Sequence, residues 1–212
     1  MRSFTKGFLK LLAWLVGILL VFVAVMRIFF VDVAVVGHNA MAPTMEAGDS
    51  VLIWRNGVPE DLGDIAVCNH PENPGELVMG RVVGKGGMRL ESDRHSRLSI
   101  AGSIPDIDWQ GEHSFADTVR EDTATYTKGL VEMGNVHHLI FHREGSVFRM
   151  QPVDVPPGKV FLMSDNRMHP GQDSRYFGPV DPAACQGTVF MRLAPAEDSP
   201  NDLDHAYLDI ID

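Results

Sequence analysis

From Leu11 to Met26 the chain runs without one charged side chain, and Phe8 to Phe30 is apolar apart from Lys10 and Arg27 near its ends. A helix of about 20 residues crosses the hydrocarbon core of a bilayer. The long stems of Lys10 and Arg27 can carry their charges out to the interface. The first 30 residues therefore read as a membrane anchor, and whatever else the chain does it must do beside a lipid surface. Arg2, Lys6 and Lys10 precede the span and Asp32 closely follows it. That bias predicts a single-pass protein of the inner (plasma) membrane, N-terminus cytoplasmic and body on the extracytoplasmic side. A cleaved signal peptide would need a shorter apolar core of about 7–15 residues and a small-x-small site. Val23-Ala24-Val25-Met26-Arg27 offers no such site.

Charge is unevenly placed. The first 30 residues hold four bases and no acid, while the chain as a whole carries −10, which leaves −14 on the rest. An acidic body argues against nucleic acid as a partner. Cys68 and Cys185 lie far apart and lack the C-x-x-C spacing of a zinc site. They read as two buried free thiols, with a bridge open to them if the body is extracytoplasmic. His137, His138 and His142 fall in a segment that reads as strand, so no helix face gathers them, and neither metal nor cofactor is expected.

Beyond the anchor the pattern is β. Phe30–Val36 is rich in β-branched residues, and Gly-Asp turns precede the runs Ser50–Trp54 and Ile65–Cys68. Glu76–Gly84, Val160–Met163 and Gly187–Leu193 read as further strands. Residues 85–154 are less legible: short apolar runs alternate with polar clusters and no repeat shows. From Ala194 the tail is acidic and proline-containing, and reads as flexible at least to Asp202.

Five local patterns occur in order behind the anchor. They are Met41-x-Pro43-Thr44-Met45-x-x-Gly48-Asp49; Gly63-Asp64-Ile65-Ala66-Val67; Arg81-Val82-Val83-Gly84; Ser164-Asp165-Asn166-Arg167; and Asp173-Ser174-Arg175-Tyr176-Phe177-Gly178. Together they resemble the boxes of the type I signal peptidases. The resemblance implies a mainly β fold: a coiled antiparallel β-sheet core with an inserted small β subdomain and one N-terminal transmembrane helix. It divides the chain into 1–30 (N-terminus and anchor), 31–84 with 155–193 (core), 85–154 (insertion) and 194–212 (tail). The segment Tyr126–Leu139, with Gly134 and Asn135, is similar to the end of that insertion.

The resemblance also implies which residues should do chemistry, and here the chain departs from it. The family's serine nucleophile falls at Ala40 and its general-base lysine at Gly80. A position that often helps the oxyanion hole falls at His38. The loop Met168–Gln172 is longer and lacks the serine that bonds the lysine. A methyl group has no oxygen to deprotonate. Lys85 lies five strand residues beyond Gly80, roughly 16 Å away and on the opposite face. His38 could act as a base, but no hydroxyl or thiol is evident for it to activate.

Asp32–Asn39 (Val35, Val36, Gly37, His38 and Asn39 above all) and Leu77–Gly80, with Val78 and Met79, would line the groove for an extended segment. The absent lysine would enlarge its floor. Arg81, Asp165, Asn166, Arg167, Asp173, Ser174 and Arg175 would brace the site through buried ion pairs and hydrogen bonds. The leading expectation is a membrane-anchored signal peptidase-like protein without peptidase activity. It would retain a groove for exported preproteins or signal peptides, or act beside an active paralogue. An active serine endopeptidase removing signal peptides, and a structural role through the insertion, are the alternatives.

Overall fold

The computed structural model describes residues 2–73, 75–93, 97–133 and 136–211, without the side chains of residues 2–6; Gly134 and Asn135 lie outside it. Helix α1 (Arg2–Phe29) is followed after a single residue by strand β1 (Val31–Val35). Gly7–Phe29 is the one helix among the described residues long and apolar enough to cross a membrane, and no part of it is buried against the body.

The body is antiparallel β. Its main sheet runs in the order β1, β2 (Ser50–Trp54), β12 (Cys185–Ala194), β3 (Ile65–Asn69), β4 (Leu77–Lys85), β11 (Val160–Met163). The segment 85–154 supplies two smaller sheets. One is β10 (Val153–Asp154), β5 (Arg89–Ser92) and β6 (Leu98–Ile100); the other is β7 (Asp106–Asp117), β8 (Asp122–Met133) and β9 (Val136–Arg143). Ser50–Trp54 alternates buried and half-buried residues, as a strand covered on one face should, whereas Val160–Met163 is buried throughout and reads as a plain apolar run. Val36, Met41, Met45, Ile53, Ile65 and Met79 pack into one core cluster.

Two expectations are overturned. Cys68 and Cys185 are not free thiols. Antiparallel pairing of β3 with β12 sets them opposite one another, and they form a disulfide. The tail is not loose either. A short strand β13 (Asp209–Ile210) pairs with β12, and the Ala196 amide donates to Asp49 Oδ1 at 2.8 Å. Asn201 exchanges hydrogen bonds with the Ala116 backbone and donates to Glu46 Oε2 at 3.0 Å. The acids and amides that suggested a solvated tail are the groups that dock it.

Candidate functional site

Asn39–Met41 forms a single 3-10 turn between β1 and the Gly48-Asp49 bend, and it lies against β4. The chain therefore brings Ala40 to the strand carrying Gly80. Ala40 is fully buried. Its carbonyl accepts the Asn166 amide at 2.9 Å, and its own amide is aimed at Nδ1 of His38 at 3.3 Å. An oxyanion hole needs donors facing free space. The donor at Ala40 is instead turned onto a ring lone pair.

The bracing residues form a polar frame beneath this turn. Arg81 and Asp165, both wholly buried, pair side-on: Nε to Oδ1 at 3.0 Å and the terminal nitrogen to Oδ2 at 2.9 Å. Thr44 donates to the same carboxylate at 2.6 Å, and Arg81 also donates to the Gly63 carbonyl at 2.9 Å. Burial by itself would raise the Asp165 carboxyl, but the Arg81 guanidinium outweighs it and holds the group below its ordinary value. Asp173 caps the short helix α2 (Ser174–Phe177), pairs with Arg175 at 2.6 Å and accepts the Ser164 amide at 3.0 Å. The Ser174 hydroxyl accepts the Leu162 amide at 3.0 Å.

Arg167 breaks this pattern. It is buried yet pairs with no carboxylate among the described residues; it donates to Met163 Sδ at 2.7 Å and contacts His138 Nε2 at 3.3 Å. The ion-pair role expected for it is not what its side chain does.

Three hydroxyls belong to the boxes around the turn. Those of Thr44 and Ser174 are committed as described, and Ser164 Oγ is fully buried with no hydrogen-bond partner, hence with no base upon it. Lys85 is spent on Asp61 at 3.4 Å. Gly80 is buried between β3 and β11, and a Cβ placed there would lie 3.0 Å from Leu162 Cβ. The missing side chain thus leaves no enlarged floor, because β11 fills the space. Val36, Val78 and Met79 are core residues rather than groove lining, while Val35 and Gly37 are exposed.

Two residues that sequence reasoning passed over stand beside the turn. The His169 ring lies 6.0 Å from that of His38, and its Nε2 is 3.8 Å from Asp117 Oδ2; Asp117 Oδ1 in turn accepts the Asn39 side-chain amide at 2.8 Å. Burial keeps both histidines below their ordinary range. The available signal was a histidine in the Met168–Gln172 loop, where a serine had been sought. As to metals, His138, His142 and His137 turn to different partners: Arg167, the Ser146 carbonyl and Glu132. Glu46, Asp49 and His205 do approach one another, and Arg192 sits 3.1 Å from Asp49 Oδ2.

What remains open to a ligand is backbone. β1 is an edge strand; β11 pairs with β4 only from Arg81 to Lys85, but Val78–Gly80 beyond that pairing are buried. Phe30 and Val36 bond toward β2, so by alternation Val31, Val33 and Val35 point their backbone groups outward. Arg27 takes the Val31 carbonyl and Asp32 the Val33 amide. The Val31 amide, the Val33 carbonyl and both groups of Val35 have no partner among the described residues.

This scaffold and its ordered boxes place the chain in a known class: a family model described as signal peptidase, peptidase S26, matches residues 9–194, and the chain belongs to that family. It is 29% identical to a signal peptidase I of Pseudomonas aeruginosa, over 79% of this chain and 63% of that protein. It is 23% identical to a signal peptidase I of Aquifex aeolicus, over 88% of each. A signal peptidase I structure from Enterococcus faecalis matches at 24% identity and a TM-score of 0.35, covering 60% of this chain and 94% of that one. The chain spans less than two thirds of the Pseudomonas relative.

Proposed function

We propose that this chain is a membrane-anchored, signal peptidase-like protein that binds extended peptide segments and does not cleave them. The carrying observation is the edge of β1, unpaired among the described residues, which runs straight into a turn with no nucleophile. An extended chain can add to such an edge through backbone hydrogen bonds, side chains alternating toward and away from the body. Ala40 offers a methyl group, Gly80 no base, and the Ala40 amide is committed to His38. The occupant this reading assigns is a segment of an exported preprotein, met on the extracytoplasmic side with α1 in the bilayer. The disulfide supports that compartment.

The test uses full-length protein in lipid nanodiscs. Saturable binding of a fluorescent, extended apolar peptide with small residues is expected, with no cleavage of it or of a preprotein. Val35→Pro removes one outward amide that has no partner among the described residues, so it should fold normally and bind at least tenfold more weakly. Cleavage by the unaltered protein would overturn the inactivity, and absence of binding would overturn the groove.

A further inference from the structure

Where the two smaller sheets meet the core, a cavity of about 220 Å³ opens between β6, β7, β8 and β9. Its walls are largely apolar, Ile107, Val131, Ile140 and Phe148 among them, and no acidic side chain lines it among the described residues. Arg167 and His138 line it as well. Both are more than nine-tenths buried. Among the described residues, Arg167 Nε and His138 Nδ1 each lack a hydrogen-bond partner. Burial, reinforced by the neighbouring Arg81, depresses the His138 ring to about 3, so the ring is neutral at physiological pH. With Nε2 facing an Arg167 donor, the remaining proton sits on Nδ1. Burial lowers even the Arg167 guanidinium, to about 10, which still leaves it charged.

A buried cation with no carboxylate bonded to it is costly. Among the described residues the side-chain hydrogen-bond partners of Arg167 are a thioether and a neutral imidazole, and Asp165 and Asp173 act on it only from a distance. A guanidinium presents a planar fork that suits a carboxylate. Around the fork are apolar walls and a second donor, the imidazole N–H. A dry apolar cavity of about 150 Å³ holds a benzene ring, so this one has room for a ring with a short carboxylate arm. We propose that this cavity binds a small organic monocarboxylate, its carboxylate on Arg167 and His138 and its apolar body among Ile107, Val131 and Phe148. The site lies apart from the strand edge of the proposed peptide groove and does not depend on that reading.

Phenylacetate is a probe of the right size, and 2-phenylethanol is its uncharged counterpart. Each would be titrated into full-length protein in nanodiscs and followed by saturation-transfer difference NMR. Phenylacetate should bind saturably and at least tenfold more tightly than 2-phenylethanol. Arg167→Met should weaken it at least tenfold, and Arg167→Lys, which keeps the charge but not the fork, by less. Ile107→Trp fills the cavity from its half-buried rim, where folding is not at stake, and should abolish binding. The proposal is overturned if phenylacetate does not saturate, if 2-phenylethanol binds equally well, or if Ile107→Trp binds like the unaltered protein.

Discussion

Asp165→Ala is the most demanding perturbation of the frame beneath the turn. It strips Arg81 of its carboxylate at a place where neither side chain sees water. Removing one partner of a buried pair leaves an uncompensated charge and costs about 3–5 kcal/mol. For a chain of this size each kcal/mol moves the melting midpoint by about 2–4 °C, so a fall of roughly 6–20 °C is expected by circular dichroism at a fixed scan rate. The double variant Arg81→Met, Asp165→Leu removes both charges and should recover more than half of that loss. Recovery stays partial because Thr44 and the Gly63 carbonyl also lose their partners, at about 1 kcal/mol each. Acid should report the same pair. The Asp165 carboxyl is held below its ordinary 3.8, so its contribution is complete above that value and fades as pH falls through the lower, folded one. A single-variant shift below about 3 °C, or a double variant no more stable than Asp165→Ala, would refute the reasoning.

The His138 ring, lowered from 6.5 to about 3, takes its proton in the unfolded chain first. Stability should therefore drop on acidification from pH 6.5, by about 2 kcal/mol at pH 5 from this group, and pH-dependent melts of His138→Leu should show a shallower slope over that window. Gly187 has φ +151° at a bulge in β12, and a Cβ there would clash with the Trp54 carbonyl oxygen; Gly187→Ala should cost about 3 kcal/mol or more or prevent accumulation of folded protein, and a melt within about 3 °C of the unaltered chain would show that β2 and β12 can part.

Local signals carried the sheet: β2 was read at its observed bounds because Gly48-Asp49 stops the turn and the apolar run starts at once, and β12 emerged only slightly longer than its Gly187–Leu193 core. What escaped depends on which distant segments meet. Nothing around Cys68 or Cys185 announces that β3 and β12 will pair in a register that opposes them. The tail reads as flexible because it is acidic and contains proline, and it docks because Asp49, Arg192 and the Ala116 backbone meet its Ala196 amide, Asp209 and Asn201. Arg167 sits in a box that suggests an ion pair, yet its carboxylate neighbours are taken by Arg81 and Arg175. Gly80 read as a vacancy, whereas Leu162 on a strand some 80 residues away fills it.

The joint between α1 and β1 has no slack. Phe30 alone separates them, Arg27 and Arg55 both clasp Asp32, Arg55 reaches back to the Ile28 carbonyl, and Phe30 stacks on Trp54 with ring centres 5.7 Å apart. Five residues of strand extend about 17 Å, so with α1 in a bilayer the free edge of β1 stands at a set height, within about two nanometres of the helix end. A segment anchored in the same bilayer would meet that edge by a search in two dimensions rather than three. Its local concentration would be far above its average in the compartment, and a contact of a few backbone hydrogen bonds, too weak to capture anything from bulk water, would be enough to hold it.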